Sequence, residues 1–186
     1  MKIRRLTAFI LTAMLAAAML APQQGVAFAD GGYDLRTVSL LSPDVLCEYM
    51  HPDSRHLAED VVRICAENGV SAEFIVSVMR WERRPDLHNW FGWTGNDGRL
   101  MRFGSDRECL EKIIPIIKRN YLSADGKYFN GYTVSAVSVF YNNSDFWRET
   151  ISGELTRILD ATASPEIFPI SGLFGRHRLL SAVKRA

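Results

Sequence analysis

The stretch "SAEFIVSVMRWERRPDLHNWFGWTG", residues 71–95, joins an apolar helical pattern to a turn rich in tryptophan and glycine. Ser71 is a typical N-cap residue, and apolar side chains recur at helical spacing from Phe74 to Met79. Pro85 ends the pattern, because the residue before a proline is forced out of the helical conformation. The stretch therefore predicts a core helix that ends beside an aromatic loop.

Glu82 lies in the last turn of this helix, on the same face as the apolar Val78. Desolvation by apolar neighbours favours the protonated form of a carboxyl group. Such a group at the edge of a groove can protonate the leaving oxygen of a glycosidic bond. The alternative is an ion pair between Glu82 and a nearby arginine: Arg80, Arg83 or Arg84.

Two tryptophans, Trp90 and Trp93, lie in the turn that follows the helix. Flat aromatic faces suit the rings of sugars, and the indole N–H can bond a hydroxyl group. Gly92 and Gly95 permit close approach of the backbone or a positive φ. The turn therefore favours a sugar-binding surface, with the alternative that both rings close the junction between loop and helices.

The rest of the chain is predicted to be mainly helical. Helical patterns cover 54–69, 71–85, 105–122, 133–141 and 144–163. Ser105 and Glu108 form a capping-box pattern, and Pro115 is expected to kink the third of these helices without ending it. Glycine and turn residues dominate 89–104. We therefore expect a mainly α domain with a small irregular or β-hairpin lobe after the helix that carries Glu82.

Residues 1–29 are predicted to be a secretory signal peptide. They have a basic start, an apolar run and an Ala-x-Ala site, so cleavage is expected between Ala29 and Asp30. A retained anchor is the alternative, although the apolar run is short for a membrane span. This predicts a mature domain over 30–163 and a basic tail over 164–186, exported to the cell wall or periplasm with no stable membrane span.

Composition excludes several other kinds of function. The predicted mature chain has 19 basic and 21 acidic residues, which argues against binding to nucleic acid. Cys47, Cys65 and Cys109 allow one disulfide, but helical cysteines are as readily small buried side chains. The spacing of His51 and His56 presents no paired ligands on a helix face. We therefore expect a monomer without metal or cofactor.

Four segments in order resemble the glucosaminidase group of peptidoglycan hydrolases, which includes bacterial autolysins and flagellar muramidase-like proteins. The first segment is "GVSAEFIVSVMRWE", which ends in Glu82. The others are Asn89–Gly92, Arg102–Ser105 and Tyr141–Trp147. The resemblance covers roughly residues 58–160, which is most of the predicted mature chain.

The resemblance implies a lysozyme-like α+β fold and cleavage of β-1,4 glycosidic bonds in peptidoglycan, as by an endo-β-N-acetylglucosaminidase. It makes Glu82 the general acid and places Tyr141 at the reaction centre. Asp97, the acidic residue between the turn and the Arg102 segment, becomes the candidate second carboxylate. The substrate-binding residues it implies are Asn89, Trp90, Phe91, Gly92 and Trp93, and the implied partner is the glycan strand.

Some residues depart from the family pattern. Arg83, Arg84 and Pro85 directly follow Glu82, and Trp90 stands where relatives commonly have leucine. Two alternatives stay open: a lytic transglycosylase, which shares the fold and a glutamate acid, and an inactive module that binds cell-wall glycan, which the arginines beside Glu82 would support. Three mechanisms also stay open: inversion, retention through a covalent intermediate, and attack by the substrate's own acetamido oxygen.

Overall fold

The structure is a computed structural model, and it describes residues 32–163. Contacts within the chain separate Met1–Tyr33 from Asp34–Ala186, and all the helices described below belong to the second unit. The predicted signal peptide and the predicted tail lie outside the described residues.

The described residues are mainly helical, which confirms the predicted fold class. The helices are α1 Pro43–Tyr49, α2 Ala58–Asn68, α3 Ala72–Glu82, α4 Asp106–Tyr121, α5 Val134–Tyr141 and α6 Asp145–Ala163. Two 3-10 helices, Pro52–Leu57 and Pro85–Leu87, precede α2 and follow α3. The sequence patterns predicted α2 to α6, whereas the short α1 was missed.

Side chains at the helix ends explain where several helices begin. The hydroxyls of Ser71, Ser105 and Ser144 accept hydrogen bonds from backbone N–H groups of the first turns of α3, α4 and α6. Gly69 ends α2 in the left-handed region, at φ 60°. Pro115 lies within α4 and does not end it. These predicted ends are therefore confirmed.

Helix α3 is buried along most of its length. It packs against α2 on one side and α6 on the other, and α2 also packs against α4. Every residue from Ala72 to Met79 is buried, so the apolar face predicted from the sequence is only part of the buried surface. Burial of each large apolar side chain contributes about 1.5–3 kcal/mol. The helix that carries Glu82 is thus fixed along most of its length.

Residues 83–105 form the small lobe. The structure describes no extended strand there, only the isolated bridges Arg84–Asn89 and Thr94–Leu100, so the lobe is irregular as predicted. The end of the lobe is bonded to its beginning, since the N–H of Phe103 donates to the carbonyl of Leu87, in the 3-10 helix after α3, at 3.0 Å. Among the described residues, no helix has both the length and the apolar character that a membrane crossing requires.

The three cysteines are free thiols in the structure, so the disulfide left open by the sequence is absent among the described residues. Cys65 and Cys109 are buried as small apolar side chains. Burial raises the pKa of Cys109 to about 12 and that of Cys65 well above its usual value. Both thiols therefore stay protonated and unreactive.

Candidate functional site

A groove of about 570 Å³ opens at the end of α3. Its walls come from the lobe after α3, the last turns of α4 and the end of α5. The lining residues are Glu82, Phe91, Gly92, Trp93, Thr94, Gly95, Asn96, Ile116, Arg119, Asn120, Tyr121, Tyr128, Phe140, Tyr141 and Asn142. Five of the residues predicted as site residues from the sequence therefore line one cavity: Glu82, Phe91, Gly92, Trp93 and Tyr141.

The Glu82 carboxyl group has a fixed orientation in this groove. Its Oε1 accepts a hydrogen bond of 2.8 Å from the indole Nε1 of Trp147, on α6. An indole N–H can only donate, so Oε1 acts as an acceptor. A carbonyl oxygen accepts better than a carboxylic hydroxyl, so the bond from Trp147 favours Oε2 as the oxygen that carries the proton of a protonated Glu82.

Gly92 makes room for Oε2 of Glu82. A Cβ atom at position 92 would lie 2.6 Å from this oxygen and 3.3 Å from the Glu82 carbonyl oxygen, which is too close for any side chain. Gly92 also has φ 57°, in the left-handed region that other residues rarely adopt. Glycine at this position thus brings the loop backbone against the carboxyl group.

The neighbouring arginines do not neutralise Glu82. Arg83 donates to the carbonyl of Arg80, and Arg84 donates to the carbonyl of Arg83 at 2.8 Å. Arg80 lies 3.5 Å from Glu154 on α6. No salt bridge to Glu82 is present among residues 32–163. The ion-pair alternative drawn from the sequence is therefore wrong in this structure.

Tyr141 lies beside Glu82 at the end of α5. Its hydroxyl donates to the carbonyl oxygen of Phe91 at 2.8 Å, and its ring stacks on Trp147 at 5.2 Å between centroids. Burial, together with the negative charge of Glu82, raises the pKa of Tyr141 well above its usual value. Tyr141 is thus a neutral phenol whose proton is engaged, and its oxygen can accept a hydrogen bond.

Aromatic rings form much of the remaining wall. Trp93 meets Tyr141 edge to face at 6.0 Å, while Tyr128 packs against Tyr121 at 5.2 Å and against Phe140 at 5.8 Å. Phe140 is 51% exposed, so its face is open to a ligand. The groove thus presents several aromatic faces, as stacking on sugar rings requires.

Asn89 shapes the lobe from inside and is itself fully buried. Its Nδ2 donates to the carbonyls of Trp93 and Met101 at 2.9 and 2.8 Å, and its Oδ1 accepts from the N–H of Trp93 at 2.9 Å. All its hydrogen-bonding capacity is used within the lobe. Asn89 therefore positions Gly92 and Trp93 and does not reach the groove, in contrast to the predicted role in substrate binding.

Trp90 and Phe91 were also predicted to bind substrate, but both side chains are only 1% exposed. The Trp90 ring packs edge to face against His56, at 6.5 Å. Phe91 borders the groove and offers its carbonyl oxygen to Tyr141. The structure therefore gives these two rings a packing role, because the tight turn directs them inward and leaves Trp93 toward the groove.

Asp97, the candidate second carboxylate, lies at the exposed tip of the lobe. Its side chain is 64% exposed, and its Oδ1 accepts from the N–H of Arg99 at 3.1 Å. It is not among the residues that line the groove. In the described lining, Glu82 is the single carboxylate, so the structure does not bring Asp97 into the groove with it.

The structure adds Trp147 to the site residues found from the sequence. Its place six residues after Tyr141, in a segment already matched to the family, was the available signal. Tyr141 ends α5 and Trp147 lies in the first turn of α6. Their spacing along the chain does not predict the contact of Trp147 with Glu82.

The lobe is also held by Asp106, the first residue of α4. Its Oδ2 lies 3.0 Å from His56, and its Oδ1 lies 2.7 Å from His88. Burial alone would raise the pKa of Asp106, but the hydrogen bonds with these histidines outweigh it, so the pKa is lowered.

Among the described residues, no group of three side chains is suited to hold a metal ion.

Comparison with known proteins gave no match to a family model, to a curated protein or to a solved structure.

Proposed function

We propose that this protein is an exported peptidoglycan hydrolase with a lysozyme-like fold that cleaves β-1,4 glycosidic bonds, with Glu82 as its general acid. The observation that carries the proposal is the placement of Glu82. Its carboxyl opens into an aromatic groove, is oriented by Trp147 and carries no arginine partner among the described residues. A glycan strand is the implied partner, since flat aromatic faces and a proton donor are the parts that glycoside hydrolysis needs.

The first chemical step follows from the orientation of the carboxyl. Oε2 of protonated Glu82 donates its proton to the glycosidic oxygen as the bond between that oxygen and the anomeric carbon breaks. Proton donation of this kind supplies roughly a hundred- to ten-thousand-fold in rate. The leaving sugar departs as an alcohol, and Glu82 becomes the base for the second step.

A single carboxylate in the described lining favours participation of the substrate. The carbonyl oxygen of the N-acetyl group attacks the anomeric carbon while the leaving oxygen departs, and an oxazolinium ring forms. The Tyr141 oxygen, free to accept, takes a hydrogen bond from the acetamido N–H and so turns the carbonyl toward the anomeric carbon. Water activated by Glu82 then opens the ring and gives a reducing end.

The decisive experiment compares the wild type with Glu82→Gln on purified cell-wall sacculi. We expect release of reducing ends by the wild type and a loss of about a hundredfold or more in the variant. Glu149→Gln, at an exposed position of α6, is the matched control and should keep full activity. Equal activity of Glu82→Gln and the wild type, with both folded, would remove Glu82 from the mechanism.

A lytic transglycosylase is the second candidate, because it also needs only one carboxylate. In that reaction a hydroxyl of the sugar itself attacks the anomeric carbon and yields an anhydro sugar. Mass spectrometry of the products separates the two, since hydrolysis adds one water per cut. An inactive wall-binding module would bind to sacculi but would release no sugar from them.

A further inference from the structure

The described lining of the groove contains one carboxyl side chain, Glu82, and one guanidinium, Arg119. Glu82 is assigned to the proposed chemistry, whereas Arg119 has no role in it. A guanidinium keeps its charge in proteins and donates through a planar fork that matches a carboxylate. Arg119 therefore raises the question of which negative group the groove is built to receive.

Arg119 lacks an acidic partner among residues 32–163, unlike Arg107 and Lys112 on the same helix. Arg107 pairs with Glu111 at 2.8 Å, and Lys112 pairs with Glu108 at 2.5 Å. The Arg119 side chain makes a long hydrogen bond, 3.4 Å from its Nε to Oδ1 of Asn120. Arg119 is an exposed residue and lines the groove.

The backbone that carries Arg119 is fixed. Gly126 approaches the end of α4 so closely that a Cβ there would lie 2.6 Å from the carbonyl oxygens of both Arg119 and Asn120. The N–H of Tyr128 then donates to the Asn120 carbonyl at 2.9 Å. This contact places the Tyr128 ring in the groove wall next to the turn of α4 that bears Arg119.

We propose that Arg119 is an anion-recognising residue that makes the groove select a glycan bearing carboxylates over a neutral amino-sugar polymer. This inference rests on the proposed function and names its substrate class. The neighbouring aromatic faces receive the sugar rings, and the guanidinium binds a carboxylate attached to one of them by a bidentate, charge-assisted pair. In cell-wall glycan the carboxylate is supplied by the lactyl ether of the sugar or by the attached peptide, whereas chitin carries none.

Three ligands distinguish the sources of charge: glycan with its peptides, glycan freed of peptides so that the lactyl carboxylate is exposed, and neutral chitooligosaccharide. Binding is measured by calorimetry on Glu82→Gln protein with and without Arg119→Gln, so that cleavage cannot interfere. We expect Arg119→Gln to weaken binding of a carboxylate-bearing glycan about 10- to 100-fold and to affect the neutral ligand much less. Arg107→Gln is the matched control on the same helix and should leave binding unchanged.

The same measurements distinguish a failure of this inference from a failure of the proposed function. Cleavage of sacculi with binding that is indifferent to Arg119→Gln would overturn the role of Arg119 and leave the hydrolase intact. Binding that depends on Arg119, with no cleavage by the wild type, would remove the hydrolase and keep the anion site. Equal losses on the neutral and the acidic ligands would show a structural role and overturn the inference. High salt should narrow the difference between acidic and neutral ligands, since exposed charge pairs are screened.

Discussion

Glu82 and Trp147 are 65 positions apart in the chain, and their side chains meet through a 2.8 Å hydrogen bond from the indole Nε1 to the carboxyl Oε1. The bond crosses from the end of α3 to the first turn of α6, the two helices that pack side by side. It favours Oε2 over Oε1 as the oxygen of Glu82 that carries a proton. The chemistry proposed for the groove therefore depends on Trp147, which is 4% exposed. Trp147 would not touch the substrate itself and would act only by orienting Glu82.

Trp147→Phe tests this dependence. The variant keeps an aromatic ring against Tyr141 but loses the N–H, so the carboxyl can rotate. A hydrogen bond to a charged group is worth about 1.5–3 kcal/mol, and we expect kcat to fall roughly 10- to 100-fold with a smaller change in KM. Reducing-end kinetics measure both. Trp81→Phe, 49% exposed on the outer side of α3, is the control and should stay near wild type.

Gly92→Ala tests the close approach of the loop to Glu82. The methyl group would meet Oε2 at 2.6 Å, whereas an alanine at Gly98, with φ 74°, would have nothing within 4 Å. Both substitutions carry the cost of a left-handed alanine, about 1–2 kcal/mol. We expect Gly92→Ala to lose activity at least tenfold more than Gly98→Ala, measured on sacculi with folding checked by circular dichroism. Equal losses would show that backbone strain alone is responsible.

Asp97→Asn tests the mechanism with one carboxylate. Because Asp97 is exposed and outside the groove lining, we expect activity within about twofold of wild type. Its side chain caps a turn, and asparagine preserves that acceptor. A loss of about a hundredfold would instead restore Asp97 as the second carboxylate suggested by the family resemblance.

Asn89→Ala tests the organisation of the lobe. The substitution leaves the N–H of Trp93 and the carbonyl of Met101 without their Asn89 partners, whereas the carbonyl of Trp93 keeps the N–H of Met101 at 2.9 Å. Each unsatisfied buried group costs about 1–3 kcal/mol, so we expect the free energy of unfolding to fall by about 2–5 kcal/mol. Urea denaturation measures the change. Asn130→Ala, at an exposed position, should have little effect.

Tyr141→Phe tests the pH dependence of stability. The folded-state pKa of Tyr141 is raised above the unfolded value of about 10, so folding disfavours the phenolate. Stability attributable to this group is complete below about pH 10 and is lost as the pH rises toward the folded-state pKa. We expect the wild type to lose more stability than Tyr141→Phe between about pH 8 and about pH 11. Parallel losses, measured as urea midpoints, would contradict this.

Much of the fold was predictable, because it depends on local patterns. Helix α3 was identified from its apolar spacing, its Ser71 cap and the proline after it, and each of these acts within a few residues. Helix α1 was missed because its seven residues are too few for periodicity to show. The buried Glu73 was missed as well, since its partner Ser39 lies 34 positions away.

The site was less predictable than the fold. Glu82 and Gly92 were identified by their place at a helix end and in a turn. The roles of Asn89 and Trp90 were not, because turn residues can point inward or outward and local sequence does not fix which. Asp97 was assigned by its position between two matched segments, and distance to Glu82 is set by the curl of the lobe, which sequence spacing does not determine.

The buried amide of Asn89 bonds the loop of the small lobe to itself. A loop that is tied to itself in this way already has its final shape before a sugar chain arrives. Such a loop loses little conformational entropy when the sugar chain binds. A flexible loop, in contrast, commonly loses much of its binding free energy because it must become ordered at that step. Affinity for the glycan should therefore reflect the contacts made in the cleft, as expected for a preorganised receptor.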